Sequence, residues 1–357
     1  LINHADVDPH DGKPWSSKSL KQCYQQGGDR FGWSKRKAEP RSTRDGRMLL
    51  GMGMASATYP TYQQPASATV KILADGTAIV RSGAQEMGMG TATVQTQLAA
   101  ELLGIAESRV SFQYGDTQLP KAPVAGGSMQ TASVGSAVQG AVFAVIKKLT
   151  DLAIKDSASP LYKAAPDQVV SAGGRLQMKS DGGKGESFSA ILNRQYLPSI
   201  EAQFDAKPGN EKYSAHAFGA HFVEVAVDPD LARVEVRRVV SAFAAGRILN
   251  AKTARSQYLG GIVQGIGMAL LEKTHVDENL GRITNANFAE YLVPVNADIR
   301  SIEPIFVEEV DTHANPIGVK GIGEIGIVGV AAAVANAVYH ATGKRVRDLP
   351  ITIEKLL

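Results

Sequence analysis

The sequence predicts an α+β fold with mixed sheets and packed helices. Three observations carry that reading. Apolar, β-branched runs of strand length recur, at residues 48–58, 68–73, 216–227 and 233–243 among others. Longer segments with helical periodicity lie at about 91–103, 134–155, 251–272 and 325–342. Gly-rich turns stand before these helices, so strand–loop–helix units recur although no internal repeat is evident.

Residues 1–47 are polar and rich in Lys, Arg, Gln and Gly, and read as an irregular surface lead-in with one helix around 16–27. Strands are expected at 48–58, 68–73 and 77–82, the last two joined as a hairpin by Ala74-Asp75-Gly76. A Gly-rich turn at 83–90 leads into the helix at 91–103. A strand at 110–114 and the pair Gly126-Gly127 precede the helix at 134–155. Residues 156–185 read as loops with one short strand. Long strands at 216–227 and 233–243 flank Asp228-Pro229-Asp230, and Asn250 is a suitable N-cap for the helix at 251–272. Strands near 288–293 and 302–310 come before the last helix, 325–342, which Gly343 stops.

A length of 357 residues allows roughly two or three domains. The division expected is the lead-in at 1–47, one α+β subdomain over 48–205 and a second over 206–357. Hydrophobic content of 44% and charged content of 20% suit a globular chain, and a net charge of +3 gives no reason to expect nucleic acid. A single cysteine, Cys23, excludes a disulfide framework and an iron–sulfur cluster held by this chain alone. No apolar run reaches the length of a membrane span and no signal peptide is visible, so a cytoplasmic or periplasmic setting is expected. The first residue is Leu1 rather than Met, which suggests a fragment or a processed product.

Gly321-Ile322-Gly323-Glu324-Ile325-Gly326 matches the dinucleotide fingerprint letter for letter. That reading fails on context. Residues 311–316 read as a loop where a strand is required, about thirty residues remain where a βαβ unit is required, and Glu324 would face the pyrophosphate. At the first turn of a helix, free N–H groups would favour the Glu324 carboxylate and burial under a ligand would oppose it, the balance of a general base in a dry pocket. A helix-capping Glu among packing glycines stays open beside it. Asn250 likewise opens a helix whose N-terminus can take phosphate, with Arg247 and Lys252 adding charge and Gln257 a turn and a half further on. Close helix packing at Gly260, Gly261, Gly265 and Gly267 is the plain alternative. Two more Gly-rich turns, at 85–90 and 126–133, precede helices, and four such turns suggest a ligand touched mainly by backbone amides. The seven His form no metal set, and no hydrolase elbow or Walker sequence occurs.

These turns, in this order, resemble the molybdenum-binding large subunit of the xanthine dehydrogenase/aldehyde oxidase family, nearest its bacterial aldehyde oxidoreductase branch. The resemblance rests on Ala84-Gln85-Glu86-Met87-Gly88-Met89-Gly90-Thr91, on Gly126-Gly127-Ser128 through Ser133-Val134-Gly135, and on Gly246-Arg247-Ile248-Leu249-Asn250 with Ala254-Arg255-Ser256-Gln257. It rests most on Gly318-Val319-Lys320-Gly321-Ile322-Gly323-Glu324-Ile325-Gly326 and on the closing segment from Ala341 to Pro350. It implies the molybdenum-cofactor-binding fold of molybdenum hydroxylases, with the catalytic Glu324 in the second subdomain. It implies a molybdopterin cofactor, as the cytosine dinucleotide, lined by Met87, Gly88, Met89, Gln130, Thr131 and Ala132. Arg247, Ile248, Leu249, Asn250, Ala251, Lys252, Thr253 and Gln257 would join them, with Lys320, Gly321, Ile322 and Gly323. Some relatives carry a polar residue at the Met89 position, so only the backbone contact carries over there. No residue of the chain is expected to ligate the metal.

The resemblance further implies the C-terminal part of a hydroxylase that oxidises an aldehyde or an N-heteroaromatic C–H with water as oxygen source. The partners implied are the N-terminal half of the large subunit, an iron–sulfur subunit with [2Fe-2S] clusters and an FAD subunit. A non-catalytic cofactor-binding or assembly module is the alternative for this chain separated from its other half.

Overall fold

The computed structural model describes residues 5–209 and 211–357, so Leu1 lies outside the described residues. The described residues contain helices α1 (Leu20–Phe31), α2 (Thr91–Leu103), α3 (Gln130–Lys155), α4 (Phe188–Arg194), α5 (Ala251–Leu270) and α6 (Val330–Thr342). They group into two compact units, one of residues 5–61, 212–310 and 320–357, the other of residues 62–209, 211 and 311–319.

The first unit is built on a five-stranded sheet in the order Arg44–Asp45, Met48–Pro60, His216–Val227, Val234–Ala244, Ile302–Phe306. All neighbours are antiparallel except the last pair, which is parallel. Residues 48–60, expected with the segment that follows them, pair along their length with His216–Val227. The central strand, His216–Val227, is buried on both faces, which is why it reads as mostly apolar, broken within by His221 and Glu224. Ala217, Val223, Val225 and Val227 face a core shared with α5 and α6, while Phe218, Ala220 and Phe222 face α1. The lead-in is therefore anchored rather than superficial: α1 buries Leu20, Cys23, Gly27 and Phe31. An added Cβ at Gly27 would stand 2.6 Å from the Phe222 ring. Gly51 and Gly53 let α6 lie directly on its strand, since a Cβ there would come within 2.0 and 2.2 Å of the Ala337 and Ala333 carbonyl oxygens. Burial of Cys23 pushes its thiol up to about 12, so it is a packing residue.

The second unit has a four-stranded mixed sheet, Val110–Gln113, Ala78–Arg81, Ala66–Leu73, Ser199–Ala206, on which α3 packs. The expected hairpin at 74–76 joins two of these strands. A three-stranded sheet (Val169–Ala172, Arg175–Met178, Asp181–Ser187) stands where one short strand was expected. Ser187 caps α4 by accepting the Ala190 N–H at 3.1 Å.

Three expectations change. Residues 288–293 form no strand; Phe288 and Leu292 are exposed, without the sheet partners that a strand needs. Helix α3 starts at Gln130 rather than 134, because Gln130, Ala132 and Ser133 already belong to its buried face. Helix α6 starts at Val330 rather than 325. Gly329 at φ +91° ends the preceding turns and leaves the helix only its last apolar stretch. No helix of the described residues is long and apolar enough to cross a membrane.

Candidate functional site

In the first unit, the run from Lys320 ends in a series of turns over 323–329. No strand directly precedes it, which removes the dinucleotide reading on structural grounds. Glu324 lies in these turns, ahead of α6 and outside its first helical turn, so the helix-dipole argument for its charge does not hold. Its carboxylate is exposed and accepts a hydrogen bond from the Tyr59 hydroxyl. Tyr59, near the end of the Met48–Pro60 strand opposite Ala217, was not legible as a site residue.

The Glu324 turn is pressed onto α5. A Cβ on Gly261 would stand 2.8 Å from Gly326 C and Cα, and one on Gly326 would stand 3.1 Å from the Tyr258 carbonyl oxygen. Two glycines thus bring the turn and the helix to backbone contact. At the start of the same helix, the Asn250 side chain accepts the Thr253 N–H at 2.9 Å. The Ala251 and Lys252 N–H groups have no acceptor within the helix by its geometry, and both residues are exposed. Arg247, Ile248, Leu249 and Thr253 are half-buried beside them, and Gln257 is half-buried further along. The first unit therefore assembles residues 247–253, Gln257 and 320–324 around one helix.

The Lys320 side chain is directed inward. Its Nζ is fully buried, 3.1 Å from Glu309 Oε2 and 2.6 Å from Ser17 Oγ. The side chain is turned into the protein, while Ile322 and Gly323 after it are half-buried. Glu309 was not singled out from the sequence; its one signal there is a second acidic residue directly after Glu308, following the buried Val307.

The second unit carries the other two turns. Glu86 accepts the N–H groups of Gly88 (2.9 Å), Gly90 (3.0 Å) and Ala92 (3.2 Å). Burial alone would push its carboxyl up, but those backbone donors outweigh it and hold it below the usual range. Glu86 thereby sets the loop that presents Met87, which is 72% exposed, with Gly88 and Met89. A Cβ on Gly88 or on Gly126 would meet nothing within 4 Å, so both backbones are approachable. Gln85 links this loop to the next: its Oε1 accepts the Ala125 N–H at 2.8 Å, and its carbonyl accepts Gln130 Nε2 at 3.1 Å. Gln130 is buried, and its Oε1 has no hydrogen-bond partner. Thr131 and Ala132 follow it in the first turn of α3. Among the described residues no group of three or more His, Cys, Asp or Glu is placed to hold a metal.

The chain matches the model of the molybdopterin cofactor-binding domain over residues 26–300. It is 36% identical over its whole length to the aldehyde oxidoreductase molybdenum-binding subunit PaoC of Escherichia coli, and covers 47% of that protein. It is 30% identical to the 6-hydroxypseudooxynicotine dehydrogenase complex subunit gamma of Paenarthrobacter nicotinovorans, over 87% of this chain and 40% of that one. The fold is shared with quinoline 2-oxidoreductase from Pseudomonas putida, at a TM-score of 0.86 and 24% identity over 99% of this chain and 48% of that one. The chain spans about half the length of the curated relatives it matches. Fold, turn chemistry and a family match over most of the length agree: the chain belongs to the molybdopterin cofactor-binding domain family.

Proposed function

We propose that this chain is the part of a molybdenum hydroxylase large subunit that supplies the general base, Glu324, and much of the cofactor cradle. The observation that carries it is the exposed Glu324 carboxylate, held by the Tyr59 hydroxyl on a glycine turn pressed against α5.

Taken separately, each unit carries residues that suit part of a molybdopterin dinucleotide. Such a group is polyanionic and rich in hydrogen-bonding heterocycle. The start of α5 offers backbone N–H groups and positive partial charge, with Arg247 and Lys252 adjacent. The buried, unpartnered Gln130 Oε1 is an acceptor waiting for a donor of the kind a pterin or cytosine carries. The approachable backbones at Gly88 and Gly126 admit a ligand at close range. When bound, the cofactor supplies the metal centre for oxygen transfer and two-electron oxidation.

The chain's own work is then to bind, orient and move one proton. Glu324 takes a proton from the water-derived oxygen nucleophile, and Tyr59 holds the carboxylate in place for it. The cytosine dinucleotide is the form we assign to the cofactor. The substrate class is an aldehyde or an N-heteroaromatic compound. Electrons leave through [2Fe-2S] clusters and FAD on partner subunits, and the N-terminal half of the large subunit completes the site. A second reading, a cofactor-holding or assembly module without turnover of its own, is favoured for this chain separated from its other half, since it covers under half of its relatives' length.

Molybdenum and cytosine-nucleotide analysis separates the two. The chain assembled with its other half should hold both in equal amounts and hydroxylate an aldehyde or N-heteroaromatic panel. The chain alone should hold less and turn over nothing. Absence of both molybdenum and nucleotide from the assembled protein would refute the cofactor assignment.

A further inference from the structure

Glu309 gathers donors from three separated parts of the first unit. Its Oε1 accepts from the Ser17 hydroxyl at 2.7 Å and the Ser19 hydroxyl at 3.1 Å. Its Oε2 accepts from the Gly246 N–H at 3.1 Å and from Lys320 Nζ at 3.1 Å. Lys320 also donates to Ser17 Oγ, closing the network, and its backbone N–H reaches the Ala245 carbonyl at 3.1 Å. The Glu309 and Lys320 side chains are 3% and 0% exposed.

The placement is informative. Gly246 directly precedes the 247–253 segment, and Lys320 directly precedes the 321–324 turn. Ser19 stands at the N-cap of α1, where a serine ordinarily accepts from the helix, yet its side chain makes no capping bond there and serves Glu309. A buried ion pair is a poor source of net stability, because an apolar pair of similar volume does as well or better; fixing one arrangement over others is its best-attested use. Here the four donors on the carboxylate tie three segments together: the one before α1, the turn before α5 and the start of the Glu324 turn.

We propose that Glu309 and Lys320 are a positioning pair that locks the turn before α5 and the Glu324 turn into one register, so that both meet the cofactor together. The proposal rests on the reading of those two turns as cofactor-holding. The pair touches no substrate. Loss of either partner frees both turns at once, although they lie far apart in the chain.

The test uses the assembled enzyme carrying Glu309→Gln, Lys320→Met or, as a milder change that keeps the charge pair, Ser19→Ala. Hydrogen exchange is read by peptide and molybdenum per chain is measured after extended buffer exchange. The first two variants should speed exchange about tenfold in residues 246–253 and 320–326 together, with 216–227 unchanged. Molybdenum per chain should fall by a similar factor. Ser19→Ala should move the same two segments in the same direction by less, and it carries the test if the charge variants do not accumulate. Unchanged exchange in the two segments overturns the proposal. So does equal acceleration in 216–227, which would mark a general stabiliser of the fold. Faster exchange confined to both turns with full molybdenum would uphold the positioning pair and refute the cofactor reading of the turns instead.

Discussion

The Tyr59 hydroxyl donates a hydrogen bond to the Glu324 carboxylate, joining residues 265 positions apart in the chain. The bond is possible because the strand carrying Tyr59 pairs with the central strand of its sheet as far as Pro60, which sets Tyr59 opposite Ala217 at the strand's end. The bond acts on the rotamer of a carboxylate whose turn carries glycine on both sides, at Gly323 and Gly326. Tyr59 thus orients the proposed base without itself needing to exchange a proton.

Tyr59→Phe should therefore lower turnover of the assembled enzyme about tenfold, the loss expected for one hydrogen bond to a charged group, roughly 1.5 kcal/mol. Molybdenum content should stay at the wild-type level. Steady-state kinetics with metal analysis checks both, and a parallel loss of metal would show that Tyr59 serves the cofactor rather than the carboxylate.

Neighbouring glycines on α5 should respond in opposite directions. A Cβ on Gly261 would intrude on the Gly326 backbone, whereas one on the exposed Gly260 would meet nothing within 4 Å. Gly261→Ala should cost about 1–3 kcal/mol by overpacking and displace the Glu324 turn. Gly260→Ala should stabilise by about 0.5–1 kcal/mol through helix propensity alone. Thermal denaturation of the two variants measures the contrast, and equal effects would contradict the backbone contact.

His221 gives the fold an acid limit. It is fully buried, with Nδ1 2.7 Å from Ser241 Oγ, and burial lowers its pKa to about 4. A histidine depressed in the folded state binds its proton more readily when unfolded. Its contribution is intact above pH about 6.5 and is lost as pH falls toward 4, by up to about 3 kcal/mol. Stability measured by denaturant titration across that window should fall more steeply in the wild type than in His221→Gln. Parallel curves would show that His221 is not the group responsible.

The sequence showed some elements almost to the residue and others not at all. Helix α2 was legible because Gly90 and Gly104, both left-handed, bound a periodic segment on each side. The strand at His216–Val227 was legible because burial on both faces makes it mostly apolar, with His221 and Glu224 as its interior polar positions. The start of α6 was not, since residues 325–335 carry no polar side chain and only the φ of Gly329 divides turn from helix. At the site, the Gly-rich turns and the Asn250 cap were visible as local patterns. Tyr59 and Glu309 were not, because their roles come from partners brought to them by sheet pairing and by α1. The inward turn of the Lys320 side chain was not legible for the same reason: it answers to Ser17 and Glu309, which the fold brings to it.

The most direct test of the account is the turnover of Glu324→Gln in the assembled, molybdenum-loaded enzyme. Glutamine keeps the size of the side chain and a hydrogen-bond acceptor for Tyr59, but cannot take a proton. Molybdenum content should match the wild type while kcat falls by about 100-fold or more, the range of a lost general base. Full molybdenum with a wild-type kcat would contradict the assignment of Glu324.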